Sequence, residues 1–138
     1  MTKQKTMEPT IYGHRVVVTP SAIDIHGIVN NAEYVRWMED AAVAHSVAQG
    51  WGIDQYRTIG GTWKVRHHSI KYFLSALEGD ALTVATHVRS FGRATLDRHY
   101  QICRADDLLV EATTTWVWVD LDSGRPKRIP ESIVTAFA

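Results

Sequence analysis

The sequence has little that could cross-link the chain or hold it in a membrane. Its only cysteine is Cys103, so no disulfide bond can form within one chain, which is typical of proteins that work in a reducing cytoplasm. No apolar run approaches the ~18 residues of a membrane-spanning helix. The first residues, Met1–Pro9, are polar and lack the apolar core of a signal peptide. We therefore expect a cytoplasmic protein without a membrane span.

Net charge and low-complexity sequence are absent as well. Fifteen basic residues balance fifteen acidic ones, so the chain has no net attraction to nucleic acid or to an anionic membrane. With 138 residues, 45% of them hydrophobic, the chain can form the core of one domain. We expect a single domain over residues 1–138, with residues 1–9 as a flexible tail, and no nucleic-acid partner.

The familiar motifs of metal, phosphate and nucleophile sites are missing. There is no glycine-rich phosphate loop, no CxxC pair, no HExxH helix and no GxSxG elbow. His67 and His68 are neighbours on a predicted strand, so their side chains point to opposite faces and cannot bind one metal ion together. Cys103 lies within a predicted strand without an activating partner and is expected to be an unreactive thiol. The sequence therefore predicts no metal site.

What is present is the pattern of one long helix among several strands. The helix is predicted over Asn31–Gln49 and ends at Gly50, while Asn30 and Glu33 predict a capping box at its start. Alternating apolar residues and turn signals predict the remaining elements. These are the strands Ile11–Thr19, Thr62–Ser75, Asp80–Ser90, Arg93–Cys103 and Leu108–Leu121, and a short helix over Pro130–Phe137. This order predicts an α+β fold, in which a mostly antiparallel sheet packs one face against the long helix.

The loop before the long helix is the one place where local chemistry suggests a reaction. Asp24 lies a few residues before the helix start, with Gly27 between them. A helix start offers unpaired backbone N–H groups that can stabilise an oxyanion, and a nearby carboxylate can attack a carbonyl carbon or deprotonate a water molecule. However, an aspartate in such a loop is most often a turn or capping residue. The spacing alone leaves both interpretations open.

A resemblance to a known family favours the first interpretation. The segment Asp24–Trp37 reads DIHGIVNNAEYVRW and resembles the signature of hotdog-fold thioesterases, in particular the 4-hydroxybenzoyl-CoA thioesterases that use an aspartate. It is also similar to single-domain acyl-CoA thioesterases and to the plant acyl-carrier-protein thioesterases. Segments around Lys71–Asp80 and Gly124–Glu131 fall where that family has comparable sequence. The resemblance spans nearly the whole chain.

The resemblance implies a fold and a reaction. The fold would be a hotdog, an antiparallel sheet of about five or six strands wrapped on one long central helix. The reaction would be hydrolysis of an acyl-CoA or acyl-carrier-protein thioester, with no cofactor because CoA is part of the substrate. Asp24 would be the nucleophile or general base, and the backbone N–H of Asn31 would bind the oxyanion.

The same resemblance suggests residues that contact the substrate. His26, Gly27 and Tyr34 lie within or beside the signature, and Glu39 falls where the hydroxybenzoyl enzymes have a carboxylate near the polar end of the acyl group. A helical wheel places Glu39 beside the apolar face of the helix. The alternatives are that Glu39 is a hydrogen-bonded structural carboxylate and that His26 is an ordinary surface residue. Ile28 stands where many relatives have a histidine, so a paired aspartate–histidine mechanism is not expected.

The resemblance also implies an assembly. The family builds its sites between protomers, so we expect a homodimer or homotetramer. Arg89 and Arg93 are candidates for the CoA phosphates, with solvated turn residues as the alternative. A second basic group and a set of tryptophans complete the predicted site. These are Arg125, Lys127 and Arg128 for phosphate, and Trp37, Trp51 and Trp63 for the acyl pocket.

Two other functions remain open from the sequence. Hotdog hydratases and dehydratases act on acyl thioesters, but they pair a histidine with an acidic residue in a loop motif that is missing here. A non-catalytic module that binds acyl-CoA would bind the thioester without releasing thiol.

Overall fold

The structure, a computed structural model, describes residues 11–138, so the predicted tail Met1–Pro9 lies outside the described residues. A short 3₁₀ turn, Pro20–Ala22, follows the first strand. The remaining elements are five strands and three helices. They are β1 (Tyr12–Val17), α1 (Asn31–Ala48), α2 (Ile53–Thr58), β2 (Gly61–Tyr72), β3 (Ala81–Phe91), β4 (Thr95–Arg104), β5 (Asp107–Asp120) and α3 (Glu131–Phe137).

The strands form one five-stranded sheet in the order β1-β3-β4-β5-β2. Every neighbouring pair is antiparallel, and β1 and β2 are the two edges. The long helix α1 packs against one face of this sheet. The architecture is a hotdog fold, which confirms the predicted α+β class and the predicted sheet around one long helix.

The core lies on the face of the sheet that carries alternate apolar residues, with one cluster under α1 and a second under α2 and α3. In β3 the side chains of Leu82, Val84 and Val88 are buried, whereas their neighbours along the strand face outward. Met38 and Ala41 of α1 are completely buried against this face. The small alanine side chain lets the helix approach the sheet closely, because little volume separates the two backbones.

The sheet has two ends that matter for the site. At the end that we call the loop end, Gly79 N–H donates to the carbonyl of Val18, and the chain enters α1. At the opposite end, the aromatic end, Gly61 of β2 packs on Trp118 of β5. The eleven residues of β3 connect the two ends and span ~35 Å. The helix α1 runs from the loop end, where Asn31 lies, towards the aromatic end.

Three local details differ from the predictions. Helix α2 was not predicted, because six residues are too few to show a helical period. The capping box at α1 is wrong: the side chain of Asn30 accepts from Ala32 N–H, at 2.9 Å, and Glu33 lies 3.6 Å from the Arg36 guanidinium. The β2 strand contains a bulge at Arg66, where the pairing with β5 shifts by one residue.

None of the helices within residues 11–138 is long and apolar enough to cross a membrane.

Packing at the aromatic end predicts that replacement of Gly61 is destabilising. A Cβ atom at Gly61 would lie 2.0 Å from Cζ2 of Trp118, whose indole is completely buried. We expect Gly61→Ala to lower the free energy of unfolding by ~2 kcal/mol or more, because the indole or the strand must move. Gly13→Ala is the matched control, since its Cβ would meet only Thr83 Cγ2 at 3.7 Å. Urea denaturation measures both; equal stability of the two variants would contradict this packing.

Candidate active site

Asp24 begins a tight loop that leads into α1. Its backbone N–H donates to the carbonyl of Ile28 at 2.9 Å, its carbonyl accepts from Gly27 N–H at 3.1 Å, and an isolated bridge pairs Ile23 with Val29. Gly27 has a φ of 78°, a left-handed conformation that favours glycine at this turn position. The loop therefore folds by local turn chemistry before any ligand is considered.

The same turn orients the Asp24 carboxylate. Oδ1 accepts from the backbone N–H of His26 at 2.8 Å, while Oδ2 makes no hydrogen bond to any residue of the range 11–138. The side chain is half-buried rather than extended into solvent. One carboxylate oxygen is thus held in place and the other is available to react or to bind a water molecule.

The base of the loop fixes its position against the helix start. Asn30 N–H donates to the carbonyl of Ala22 at 2.9 Å, and Val29 N–H donates to the carbonyl of Ala76 at 3.1 Å. These two bonds tie the loop to the 3₁₀ turn before it and to the chain segment that follows β2. Asp24 and the first turn of α1 are therefore parts of one closed unit.

The helix start has one free donor. The Asn30 side chain accepts from Ala32 N–H, and the Asn30 carbonyl accepts from Glu33 N–H. In the part of the chain that the structure describes, the N–H of Asn31 has no acceptor. A free N–H at the positive end of an 18-residue helix can stabilise a developing oxyanion.

The other residues predicted for the loop lie at its tip. His26 and Gly27 are exposed, and Ile25 between them and Asp24 is 95% exposed. The His26 side chain makes no hydrogen bond within residues 11–138. Their contacts with substrate stay a prediction.

Tyr34 lies in the core rather than in open space. Its ring is 2% exposed, it meets Trp37 and Tyr72 edge-on, and its hydroxyl accepts from Ala76 N–H at 2.9 Å. This bond holds the segment after β2, which in turn holds the Asp24 loop. A direct contact with substrate would require the ring to leave the core, so we assign Tyr34 to packing.

Glu39 faces the gap between α1 and β2. Its side chain is 46% exposed, and Oε2 lies 3.9 Å from Nε2 of His68. The other ring nitrogen of His68 bonds to the Thr114 hydroxyl at 2.7 Å. Glu39 is eight residues beyond Asn31, or ~12 Å along the helix axis. It remains a candidate contact for an acyl group that extends from Asn31 along the helix.

The two arginines predicted for CoA phosphates lie on β3 and on the turn after it, towards the aromatic end. Arg89 lines a polar groove of about 260 Å³ on the outer face of the sheet, beside Lys71 and the His99–Glu111 pair. Eight strand residues, or ~27 Å, separate Arg89 from the start of β3 near the loop end. Asp24 and these arginines of one protomer are therefore not brought together.

Lys127 of the second basic group is already engaged. Its ammonium donates to the carbonyl of Gly60 at 2.9 Å and lies 3.2 Å from the Asp120 carboxylate. The backbone N–H of Ser123 and the Lys127 ammonium lower the pKa of Asp120 to about 2. Lys127 therefore closes the turn after β5, and we no longer assign it to phosphate.

A cavity of about 200 Å³, which we call the aromatic pocket, opens at the aromatic end. It lies between the second half of α1, α2, the start of β2 and α3. Its aromatic walls are Trp51, Tyr56, Trp63, Trp116 and Phe137. Trp51 and Trp63 had been predicted to line an acyl pocket, whereas Trp37 packs in the core around Tyr34.

One charged residue lines this pocket. Arg98 of β4 is 4% exposed, and its Nη1 donates to Nδ1 of His45 at 2.9 Å and to the Thr86 hydroxyl at 3.2 Å. Its guanidinium carbon lies 5.6 Å from the centre of the Phe137 ring. Sequence reasoning missed Arg98, although it occupies the inward position of β4 between Leu96 and Tyr100, where an apolar residue is usual.

His45 is kept neutral by this surrounding. Burial, and then the nearby Arg98 and His87, lower the pKa of His45 from 6.5 to about 4. Since Nδ1 accepts from Arg98, the proton of the neutral ring is on Nε2, which is buried and has no partner among residues 11–138. The pair is thus one neutral imidazole and one guanidinium cation.

The neutral His45 predicts a pH dependence of stability. Between pH 6.5 and pH 4 the unfolded chain binds a proton at this residue that the folded chain does not bind. The free energy of unfolding therefore falls as the pH is lowered through this window, by up to about 3 kcal/mol, and the contribution is complete above pH 6.5.

His45→Gln keeps an acceptor for Arg98 but cannot be protonated, so we expect its stability to fall less steeply with acid than that of the parent. Urea denaturation at several pH values measures the slope. His67→Gln, at an exposed position of β2, is the matched control and should keep the parental slope. Parallel curves for the parent and His45→Gln would overturn the assignment.

Known protein structures of the same fold include several thioesterases. A 1,4-dihydroxy-2-naphthoyl-CoA thioesterase from Synechocystis is 21% identical with a TM-score of 0.84, over 92% of this chain and 95% of that one. A DHNA-CoA thioesterase from Staphylococcus aureus is 18% identical with a TM-score of 0.84, over 91% and 87%. A hypothetical protein from the same organism, solved in complex with CoA, is 18% identical with a TM-score of 0.86, over 96% and 85%.

Sequence comparison assigns the family. No curated protein sequence matches the chain. Residues 18–137, almost the whole described range, match the sequence model of the thioesterase-like superfamily. The chain therefore belongs to the thioesterase-like superfamily, a hotdog-fold family of thioester hydrolases, as its sequence had predicted.

Proposed function

We propose that this protein hydrolyses acyl-CoA thioesters, with Asp24 as the reacting carboxylate and the backbone N–H of Asn31 as the oxyanion donor. The observation that carries the proposal is the closed loop unit. It ties the Asp24 loop to the start of α1; within residues 11–138, Oδ2 of Asp24 makes no hydrogen bond and the N–H of Asn31 has no acceptor. A carboxylate and an oxyanion donor that act on the same carbonyl accelerate thioester hydrolysis.

The chemistry follows from these two groups. The thioester carbonyl oxygen accepts from Asn31 N–H, which stabilises the negative charge that develops when the carbonyl carbon is attacked. If Asp24 attacks, an acyl–aspartyl anhydride forms, the thiolate leaves, and water then cleaves the anhydride. If Asp24 is a general base, it removes a proton from the attacking water, and the thiolate leaves in the same way. Either route yields a free acid and a thiol.

CoA is the thiol that we propose. One similar structure was solved with CoA, and two similar structures are of CoA thioesterases, although their identity to this chain is 21% or less. Arg89 and the nearby Lys71 are cations in one groove of the outer sheet face, which suits a phosphate. An acyl-carrier-protein thioester presents the same reacting group and is the alternative substrate.

We further propose a homodimer formed along β2. This strand is twelve residues long and is an edge of the sheet, so its outer hydrogen-bonding groups are open to pairing. Exposed apolar side chains accompany both of its ends. Near the loop end they are Ile25, Tyr72, Phe73, Leu74 and Leu77, and near the aromatic end they are Val43, Val47, Ile53 and Ile59.

A two-fold axis across β2 makes these two sets complementary. Antiparallel pairing of β2 with the same strand of a second copy puts the loop end of one protomer beside the aromatic end of the other. Asp24 and Asn31 would then face the partner's aromatic pocket, with the partner's Arg89 and Arg93 at the same end. This arrangement would bring together, from two protomers, predicted site residues that are far apart within one protomer. Two such dimers would form the predicted homotetramer.

The carboxylate is tested by replacement. Asp24→Asn should keep the turn, because the amide oxygen can still accept from His26 N–H, but it removes the negative charge that reacts. We expect kcat/KM for benzoyl-CoA and hexanoyl-CoA to fall by roughly 10²–10⁴-fold, measured as thiol release. Asp40→Asn, on the exposed side of α1, is the control and should retain the parental rate. If Asp24→Asn also retains it, Asp24 is not the reacting group.

Nucleophile and base are separated by a single turnover in ¹⁸O-labelled water. The nucleophilic route places label in the Asp24 side chain after the anhydride is cleaved at the enzyme carbonyl, whereas the general-base route places all label in the product acid. Label detected by mass spectrometry in the peptide that contains Asp24 therefore demonstrates the nucleophilic route.

A further inference from the structure

The aromatic pocket contains a buried charge that its apolar walls do not explain. Arg98 is 4% exposed and lines a cavity whose other walls are mainly aromatic and aliphatic. Burial of a charge is costly unless an opposite charge compensates it. Within residues 11–138 no carboxylate forms an ion pair with Arg98. The described part of the chain therefore leaves the cation uncompensated.

Some N–H donors of the Arg98 guanidinium have no acceptor within residues 11–138. Both of its hydrogen bonds come from Nη1 and go to neutral acceptors, Nδ1 of His45 and the hydroxyl of Thr86. Nε and Nη2 donate to no acceptor in the described range. The N–H groups of Nε and Nη2 are parallel to each other, so together they can donate to the two oxygens of one carboxylate.

The occupant that satisfies these conditions is an anion on a ring-sized group. The stacked Trp51 and Tyr56 and the neighbouring Trp63 could surround a cation, but Arg98 would repel it. A purely apolar chain would leave the guanidinium without a partner. A cavity of about 200 Å³ is somewhat larger than the ~150 Å³ cavities that hold benzene. It can therefore enclose an aromatic ring or a short chain together with a carboxylate.

We propose that the aromatic pocket binds the far end of an acyl group that carries a free carboxylate, and that Arg98 pairs with this carboxylate. The inference rests on the proposed thioesterase function, and it names the substrate class as the CoA monothioester of a dicarboxylic acid. In the proposed β2 dimer the partner's Asp24 loop would lie beside this pocket. The thioester end of the substrate then meets the partner's carboxylate while its acid end reaches Arg98.

Turnover of matched substrates tests the pairing. The ratio of kcat/KM for 4-carboxybenzoyl-CoA to that for benzoyl-CoA, and for adipoyl-CoA to hexanoyl-CoA, measures the preference for a terminal carboxylate. We expect at least one ratio of about tenfold or more in the parent protein. Arg98→Met should lower that ratio about a hundredfold and raise kcat/KM for the uncharged member. Arg98→Lys should give an intermediate ratio, because an ammonium keeps the charge but lacks the paired donors.

A ligand-binding measurement tests the pocket independently of catalysis. Terephthalate and adipate should raise the thermal unfolding midpoint of the parent protein, whereas benzoate and hexanoate at equal concentration should raise it less. Arg98→Met should abolish this difference. Without ligand, Arg98→Met should unfold near the parental temperature, because removal of an uncompensated buried charge offsets the loss of the donor to His45 and Thr86. Arg57→Met, at an exposed position of α2, is the control and should leave both the ratios and the ligand shifts unchanged.

The outcomes separate the two proposals. If dicarboxylates bind in an Arg98-dependent way but no thioester is hydrolysed, the proposed function fails and the pocket assignment stands. If thioesters are hydrolysed in an Asp24-dependent way with no carboxylate preference and no effect of Arg98→Lys on the ratios, the pocket assignment is wrong. Marked destabilisation of ligand-free Arg98→Met, together with parental ratios in Arg98→Lys, would show that Arg98 is structural only.

Discussion

The structure depends on one packing constraint: the long helix α1 lies along the strands and covers most of the apolar face of the sheet, while α2 and α3 cover its aromatic end. Met38 and Ala41 are completely buried at this contact, and the helix runs the length of the strands beneath it. Because α1 lies along the strands, its N-terminus is at one end of the sheet and Ser46 near the pocket is at the other. Fifteen helical residues separate Asn31 from Ser46, a distance of ~22 Å. The N-terminus of α1, with the proposed oxyanion donor, and the aromatic pocket are therefore at opposite ends of the same protomer.

The structural role of Asp24 in its turn is compatible with the catalytic role proposed for it. Its Oδ1 closes an ordinary turn with His26 N–H, which is the structural role that aspartate most often has in such a loop. The bonds from Asn30 to Ala22 and from Val29 to Ala76 then attach this turn to the rest of the molecule. Only one carboxylate oxygen is used by the turn. The turn therefore positions the carboxylate through Oδ1 and leaves Oδ2 available.

The sequence predicted those parts of the molecule that depend on local pattern. The start of α1, its end near Gly50 and the four later strands follow from periodicity and turn residues, and their bounds agree with the structure to within a few residues. The bulge at Arg66 and the six-residue helix α2 have no comparable local signal. The cap was predicted in part, since Asn30 does cap α1 while Glu33 pairs with Arg36 instead.

The sequence indicated candidate site residues only where a family motif exists. Local chemistry left Asp24 between two interpretations, and only the resemblance of Asp24–Trp37 to a known signature decided between them. Arg98 and His45 carry no such signature. Their significance comes from burial next to each other, 53 residues apart in sequence, which no local pattern reports. Likewise, Tyr34 belongs to the signature, yet its role depends on a bond to Ala76 that only the folded chain forms.

The bulge in β2 bears on which strands can pair with the free edge of the sheet. At Arg66 the alternation of side chains between the two faces is interrupted, so a regular strand that pairs along this edge falls out of register beyond that point. Amyloid-like addition of an unrelated flat strand is disfavoured for the same reason. A second copy of this chain carries the same interruption at the same residue. The bulge therefore limits the length over which a regular strand can pair with this edge of the sheet.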